Sequence, residues 1–194
     1  MAFSLISEIQ EDLHLHGLQK IDPNTLEVKK PDEMSYSDFL NQAAIPVVLI
    51  GLYKFSRTDE GNLSILSGYS SGNLMSLLFA DKKYEVLERV ATYTGNNNLD
   101  TENRMEAIGQ SAVKSIRKHL TDHPTERSVK ELLNSHRHEF LSYLPASIQI
   151  GKILNDESID DRTNKMEGPV SDMMHKIGQV FSSSGNDKKK EENF

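Results

Sequence analysis

Ala43-Ala44-Ile45-Pro46-Val47-Val48-Leu49-Ile50-Gly51-Leu52-Tyr53-Lys54 is an apolar run interrupted only by one proline and one glycine. A helix that crosses a bilayer needs about 20 apolar residues in succession. This run is too short for that, and with helix-forming flanks on both sides it reads as the buried hub of a soluble domain, enclosed by other helices. Pro46 lies inside the run. An internal proline removes one backbone hydrogen bond and crowds the preceding turn, so a kink, or two abutting helices, is expected around residues 42–46. Ser37 is the candidate N-cap, because its hydroxyl can accept an orphan amide ahead of Phe39 and Leu40.

Outward from the hub, the apolar period stays helical. Ile6, Ile9 and Leu13 recur at three and four residues, which predicts an amphipathic helix over 4–16 ended by Gly17. Residues 21–31, bracketed by Pro23 and Pro31, read as a polar connector in which Val28 gives only a faint strand signal. After a cap at Thr58-Asp59, Leu63, Ile65 and Leu66 predict a short helix closed by Gly68, and Gly68-Tyr69-Ser70-Ser71-Gly72 reads as a flexible joint. Leu74, Leu77 and Leu78 predict another short helix. Tyr84, Leu87 and Ala91 predict a fuller one that stops at Gly95-Asn96-Asn97-Asn98, where left-handed backbone is tolerated.

The clearest periodicity follows: Met105, Ile108, Ala112, Ile116 and Leu120, then Val129, Leu132, Leu133, His136, Phe140 and Leu144. Pro124 precedes the second of these helices and Pro145 closes it, with a short helix over 148–154 completing the packed region. No strand pattern competes. The expected fold is therefore all-α, a single multi-helix bundle with a kinked central helix. Its parts are an N-terminal helix and connector (1–35), a core domain (36–155), a polar linker and C-terminal amphipathic helix (156–181), and a disordered tail (182–194). The hairpins around 52–66 and 116–133 echo each other weakly. Any two capped amphipathic helix pairs share as much, so duplication is not needed to explain it.

Composition bounds the function. The chain has 194 residues, enough for one packed domain, and no cysteine, which excludes disulfides, thiolate metal sites and a cysteine nucleophile. The net charge of −7 argues against a general polyanion binder, whose affinity comes from clustered Lys and Arg. Residues 1–12 lack a basic start followed by an apolar block, so no secretory signal is read and a cytoplasmic protein is expected.

Two segments together resemble the YidB-like family of bacterial proteins, catalogued as domain of unknown function 937. The first is the Ala43 to Lys54 run followed by Thr58-Asp59-Glu60-Gly61, similar to that family's alanine-proline helix and its turn of threonine, proline, glutamate and glycine; Asp59 stands at the proline. The second is Leu132-Leu133-Asn134-Ser135-His136 with Phe140-Leu141 and Leu144-Pro145-Ala146, similar to its late leucine-rich helix and proline corner. The likeness covers about residues 36–155. It implies an all-helical bacterial domain without an established activity, and it carries over no catalytic residues.

Candidate chemistry is sparse. His119 and His123 are four apart, a spacing that can offer two imidazoles to one ion with Asp122 beside them; favourable placement at a helix C-terminus explains them more simply. His136 falls on an apolar face and reads as a hydrogen-bonded core histidine. His138-Glu139 lacks the second histidine of a zinc protease helix, and His14 and His16 have no supporting pattern. Around Gly68 neither the strand nor the glycine-x-serine-x-glycine order of a nucleophile elbow is present, and no phosphate-loop lysine follows. Lys114, Arg117, Lys118 and Arg127 gather near one helix junction, but Asp122, Glu126 and Glu131 dilute them.

The last apolar stripe, Val170, Met173, Met174, Ile177 and Phe181, is the expected interaction surface, since adaptable methionines suit a face that docks in a groove or pairs with a copy of itself; docking on its own core is the plainer alternative. The reading is thus a non-catalytic interaction or scaffold module that uses no cofactor and no metal, with a protein partner or self-association. A small-ligand binder or hydrolytic enzyme near Pro46 or the His119 to Asp122 corner is the rival, and a nucleic-acid-binding regulator the weaker third.

Overall fold

The computed structural model describes residues 3–28, 34–68, 72–120 and 124–160. The elements are α1 (Leu5–Asp12), α2 (Tyr36–Phe55), α3 (Asp59–Ser67), α4 (Leu74–Phe79), α5 (Lys83–Thr94), α6 (Asn98–His119), α7 (Glu126–Ser142), α8 (Ile150–Ile153) and α9 (Glu157–Asp160), with single 3₁₀ turns at Ala80–Lys82 and Ala146–Ile148. Among the described residues there is no strand. The architecture is an all-α bundle.

Helix α2 is its centre. Every residue from Phe39 to Tyr53 is buried, which only a helix covered on all sides can achieve. It packs against α4, α5, α6 and α7, while α1 lies on α6 and α3 on α7. At Pro46 the chain runs on as one helix rather than two. Its N-cap is Ser35, whose Oγ accepts the Asp38 amide at 3.0 Å while donating to the Asp38 carboxylate at 2.7 Å. Ser37, expected in that role, sits inside the first turn. The Ser35-x-x-Asp38 spacing, a side chain reaching back from the third helical position, is what selects the earlier serine.

Close approaches fix the neighbours. Helix α3 turns through 119° from α2, and its Gly61 is pressed so tightly on the end of α2 that an added Cβ would lie 1.9 Å from the Phe55 carbonyl oxygen. The Phe79 ring of α4 lies against Gly51, where a Cβ would come within 2.6 Å of it. Thr58 caps α3, accepting the Gly61 amide at 3.0 Å. Gly68 and Gly95 close α3 and α5 with φ of 83° and 73°, the left-handed turn for which glycine carries no Cβ penalty. Asn97 caps α6 by accepting the Asp100 amide at 2.8 Å.

Several boundaries and faces differ from the sequence reading. Helix α1 ends at Asp12, not near Gly17: His14 already takes φ 52°, with Leu15 N–H bonded to the Gln10 carbonyl at 2.8 Å and His14 N–H to that of Glu11 at 3.3 Å. That pair of bonds is a Schellman closure built on histidine. The expected connector is, over its described residues 21–28, a looped turn tied to the end of α7: Ile21 N–H reaches the Ser142 carbonyl and Ala146 N–H that of Leu26, both at 3.0 Å. On α3 and α5 the residues Leu63 and Tyr84 face outward, 52% and 77% exposed, because the inward faces are Gly61, Asn62 and Ile65, and Val86, Leu87, Val90 and Ala91.

Packing also continues beyond Asn155: Ile159 of α9 is buried, Arg137 donates to the Ser158 carbonyl at 2.9 Å, and Lys54 to that of Leu154 at 3.1 Å. Among the described residues no single helix is long and apolar enough to cross a membrane; α2 and α3 satisfy length and composition only together, across their sharp bend.

Candidate functional site

Among the described residues, ionisable and hydroxyl groups gather along the seam where α1 lies on α6. The α1 sequence repeats an acid at Glu8 and Asp12, one helical turn apart and therefore on one side. Opposite, α6 carries Ser111, Lys114, Ser115, Lys118 and His119 at the same three-to-four spacing. Asp12 accepts from Ser111 Oγ at 2.8 Å and pairs with Lys114. Glu8 accepts from Ser115 Oγ, and from Lys118 Nζ at 3.3 Å, and pairs with His119 Nε2. One turn earlier Ser4 Oγ donates to Glu139 of α7. A groove of about 440 Å³ runs beside the seam, lined by Glu8, Glu11, Asp12, Ser111, Lys114, Ser115 and Lys118.

Electrostatics make this seam a clasp. Partial burial acts to raise the Glu8 pKa, but hydrogen bonds from Ser115, His119 and Lys118 more than reverse it, so its carboxyl titrates below the usual range. Lys114 foremost, with Ser111, holds Asp12 low as well. Both acids are thus ionised at neutral pH and already partnered. Beneath the clasp, Leu5, Ile6 and Ile9 are buried.

The seam is not wired as a Ser-His-acid triad. In a Ser-His-acid triad the histidine stands between the hydroxyl and the acid. Here Ser115 and His119 reach the same Glu8 carboxylate from two sides, so Glu8, not the imidazole, stands between them and accepts from the hydroxyl. The His119 ring also stacks on Phe3, with centroids 3.8 Å apart. A metal role for His119 with His123 and Asp122 is not assembled by the described residues: positions 122 and 123 lie outside them, and among the described residues no three His, Asp or Glu side chains gather to hold an ion.

Elsewhere the predicted residues are placed as follows. His136 is half-buried; Nδ1 meets the Leu132 carbonyl at 2.9 Å and Nε2 the Phe3 carbonyl at 3.2 Å, in keeping with a hydrogen-bonded structural histidine. His16 Nδ1 lies 2.9 Å from Asp38. Pro46 is buried in the core. Each cation of the suggested basic junction is engaged: Lys114 and Lys118 on α1, Arg127 with Glu131 at 3.6 Å, and Arg117 Nε on the Leu66 carbonyl at 3.1 Å, where it caps the end of α3. The joint residues 69–71 and the stripe Val170, Met173, Met174, Ile177 and Phe181 lie outside the described residues.

Sequence reasoning did not find Glu27. This connector residue accepts from Ser147 N–H at 2.7 Å and from Tyr93 Oη at 3.1 Å, tying the connector to α5 and to the turn after α7. Burial, reinforced by Glu27, pushes the Tyr93 hydroxyl above its ordinary pKa, so it is a proton donor throughout the neutral range. The pairing spans distances in sequence for which one chain carries no local signal. A second groove, about 400 Å³, is lined by Ser37, Leu40, Asn96, Asp100, Asn103 and Arg104 between the starts of α2 and α6. No family model, no curated protein and no solved structure matches this chain.

Proposed function

We propose that this protein is a non-catalytic interaction module, a bacterial cytoplasmic helical domain akin to the YidB-like family over residues 36–155, which presents the stripe Val170, Met173, Met174, Ile177 and Phe181 to a protein partner or to a second copy of itself. The observation that supports this reading is the engagement of the reactive side chains: His16, His119 and His136, Glu8 and Asp12 all serve contacts between elements. A module whose polar groups hold its own helices together works through the surfaces it leaves over. The same engagement weighs against the hydrolase reading at His119, and the pairing of Lys114, Lys118 and Arg127 with acids weighs against a nucleic-acid footprint.

The experiment is association of the full chain, measured by light scattering and by capture from lysate, for the native sequence and for Met174→Asp and Ile177→Asp. The reading predicts that a charge in the stripe lowers the mass of an oligomer or abolishes recovery of a partner. Unchanged mass and unchanged recovery in both variants would remove the stripe from the function.

A further inference from the structure

Two arginines lie against one buried ring near the C-terminal end of α2. The guanidinium carbons of Arg57 and Arg137 lie 5.6 and 5.7 Å from the Tyr53 ring centroid, and Arg57 Nη1 donates to the Tyr53 hydroxyl at 2.8 Å. In a chain with 29 acids, neither guanidinium has a carboxylate partner among the described residues. Arg137 ends on Ser158, its Nη2 donating to the carbonyl at 2.9 Å and to the hydroxyl at 3.1 Å. The neighbouring Lys54 pairs with Asp156 at 3.2 Å, and Asp156 also accepts the Ser158 hydroxyl at 2.6 Å. Asp160 turns away to the Lys152 amide at 2.8 Å. Of these three cations only Lys54 is met by an acid among the described residues, beside an exposed serine hydroxyl.

A guanidinium held against a hydroxyl, with no carboxylate of its own, is the arrangement that a phosphate monoester completes through charge-assisted bonds. Ser158 lies exposed in α9, a helix of a single turn. Asp156, Glu157, Asp160 and Asp161 surround it in sequence, a context complementary to a kinase with a basic substrate cleft. We propose that Ser158 is a phosphorylation site whose phosphoryl group is held by Arg137. In the transfer, Ser158 Oγ attacks the γ-phosphorus of a nucleoside triphosphate. The Oγ–P bond forms, the bond to the β–γ bridging oxygen breaks, the nucleoside diphosphate leaves, and the hydroxyl proton passes to the kinase base. The phosphate then repels Asp156, which Lys54 continues to pair, and fastens α9 to α7 where the chain runs on toward Val170.

The test uses the full chain with magnesium ATP and an acidophilic serine kinase, the site mapped by mass spectrometry and the phosphate titrated by ³¹P NMR. Expected are incorporation that disappears in Ser158→Ala and a phosphate titrating below the ordinary second pKa of about 6. In Arg137→Gln that titration returns to the ordinary value, whereas Arg137→Lys keeps part of the shift. No phosphate on Ser158 would overturn the proposal, as would identical ³¹P titrations for the native chain and Arg137→Gln.

Discussion

At the residue scale, His14 and Gly61 show how far a single backbone position constrains this fold. His14 closes α1 in the left-handed region with φ 52°, where an L-residue is disfavoured by about 1–2 kcal/mol and glycine is not. His14→Gly should therefore stabilise the protein by about 1 kcal/mol, less whatever glycine loses through its freer unfolded chain, and a melting curve should rise by about 2–4 °C. Gly61→Ala should act oppositely and more strongly. Its Cβ would meet backbone, the Phe55 carbonyl at 1.9 Å, which cannot rotate away, so a loss at or above the upper end of the usual 1–3 kcal/mol for overpacking is expected in denaturant unfolding. The sequence made Gly68 and Gly95 legible as helix ends because glycine at the close of an apolar period has one common use. It did not make His14 legible, since a histidine in that position leaves no compositional trace.

At the element scale, the clasp between α1 and α6 is where pH and stability meet. Glu8 and Asp12 titrate lower in the folded chain than in the unfolded one. Their contribution is thus complete above the ordinary carboxylate range near pH 4 and is lost as pH falls through the depressed folded values. Glu8→Gln should cost about 1 kcal/mol at neutral pH, allowing for solvent screening. The gap between native and variant stability should narrow on acidification below about pH 4; a gap independent of pH would show that Glu8 contributes by shape alone. Helix types followed from apolar spacing, and α5, α6 and α7 form where Leu87, Met105 to Ile116 and Val129 to Phe140 indicate. The docking of α1 did not follow. Glu8 and Ser115 are far apart in sequence, and an acidic face on a short helix reads equally well as solvated surface.

At the scale of the whole molecule, the arrangement follows from one fact: α2 has no polar face to offer water. Its residues from Phe39 to Tyr53 are all buried, so the amphipathic helices supply the cover and their apolar stripes point inward. This much was contained in the run from Ala43 to Lys54. The extension of packing to Ile159 was not, because one isoleucine among Asp156, Glu157, Ser158 and Asp160 gives no period to read. Leu49→Ala, at a fully buried central position, should cost about 2–5 kcal/mol in denaturant unfolding, with the slope of the transition unchanged if the denatured state is unaffected.

Native-state hydrogen exchange across α2 tests the enclosed hub most directly. If α2 is the centre of the bundle, the amides from Val47 to Tyr53 exchange only through global unfolding, and their opening free energies equal the stability measured in denaturant. Exchange of those amides as fast as at the ends of α1 and α9, well below the global value, would contradict it.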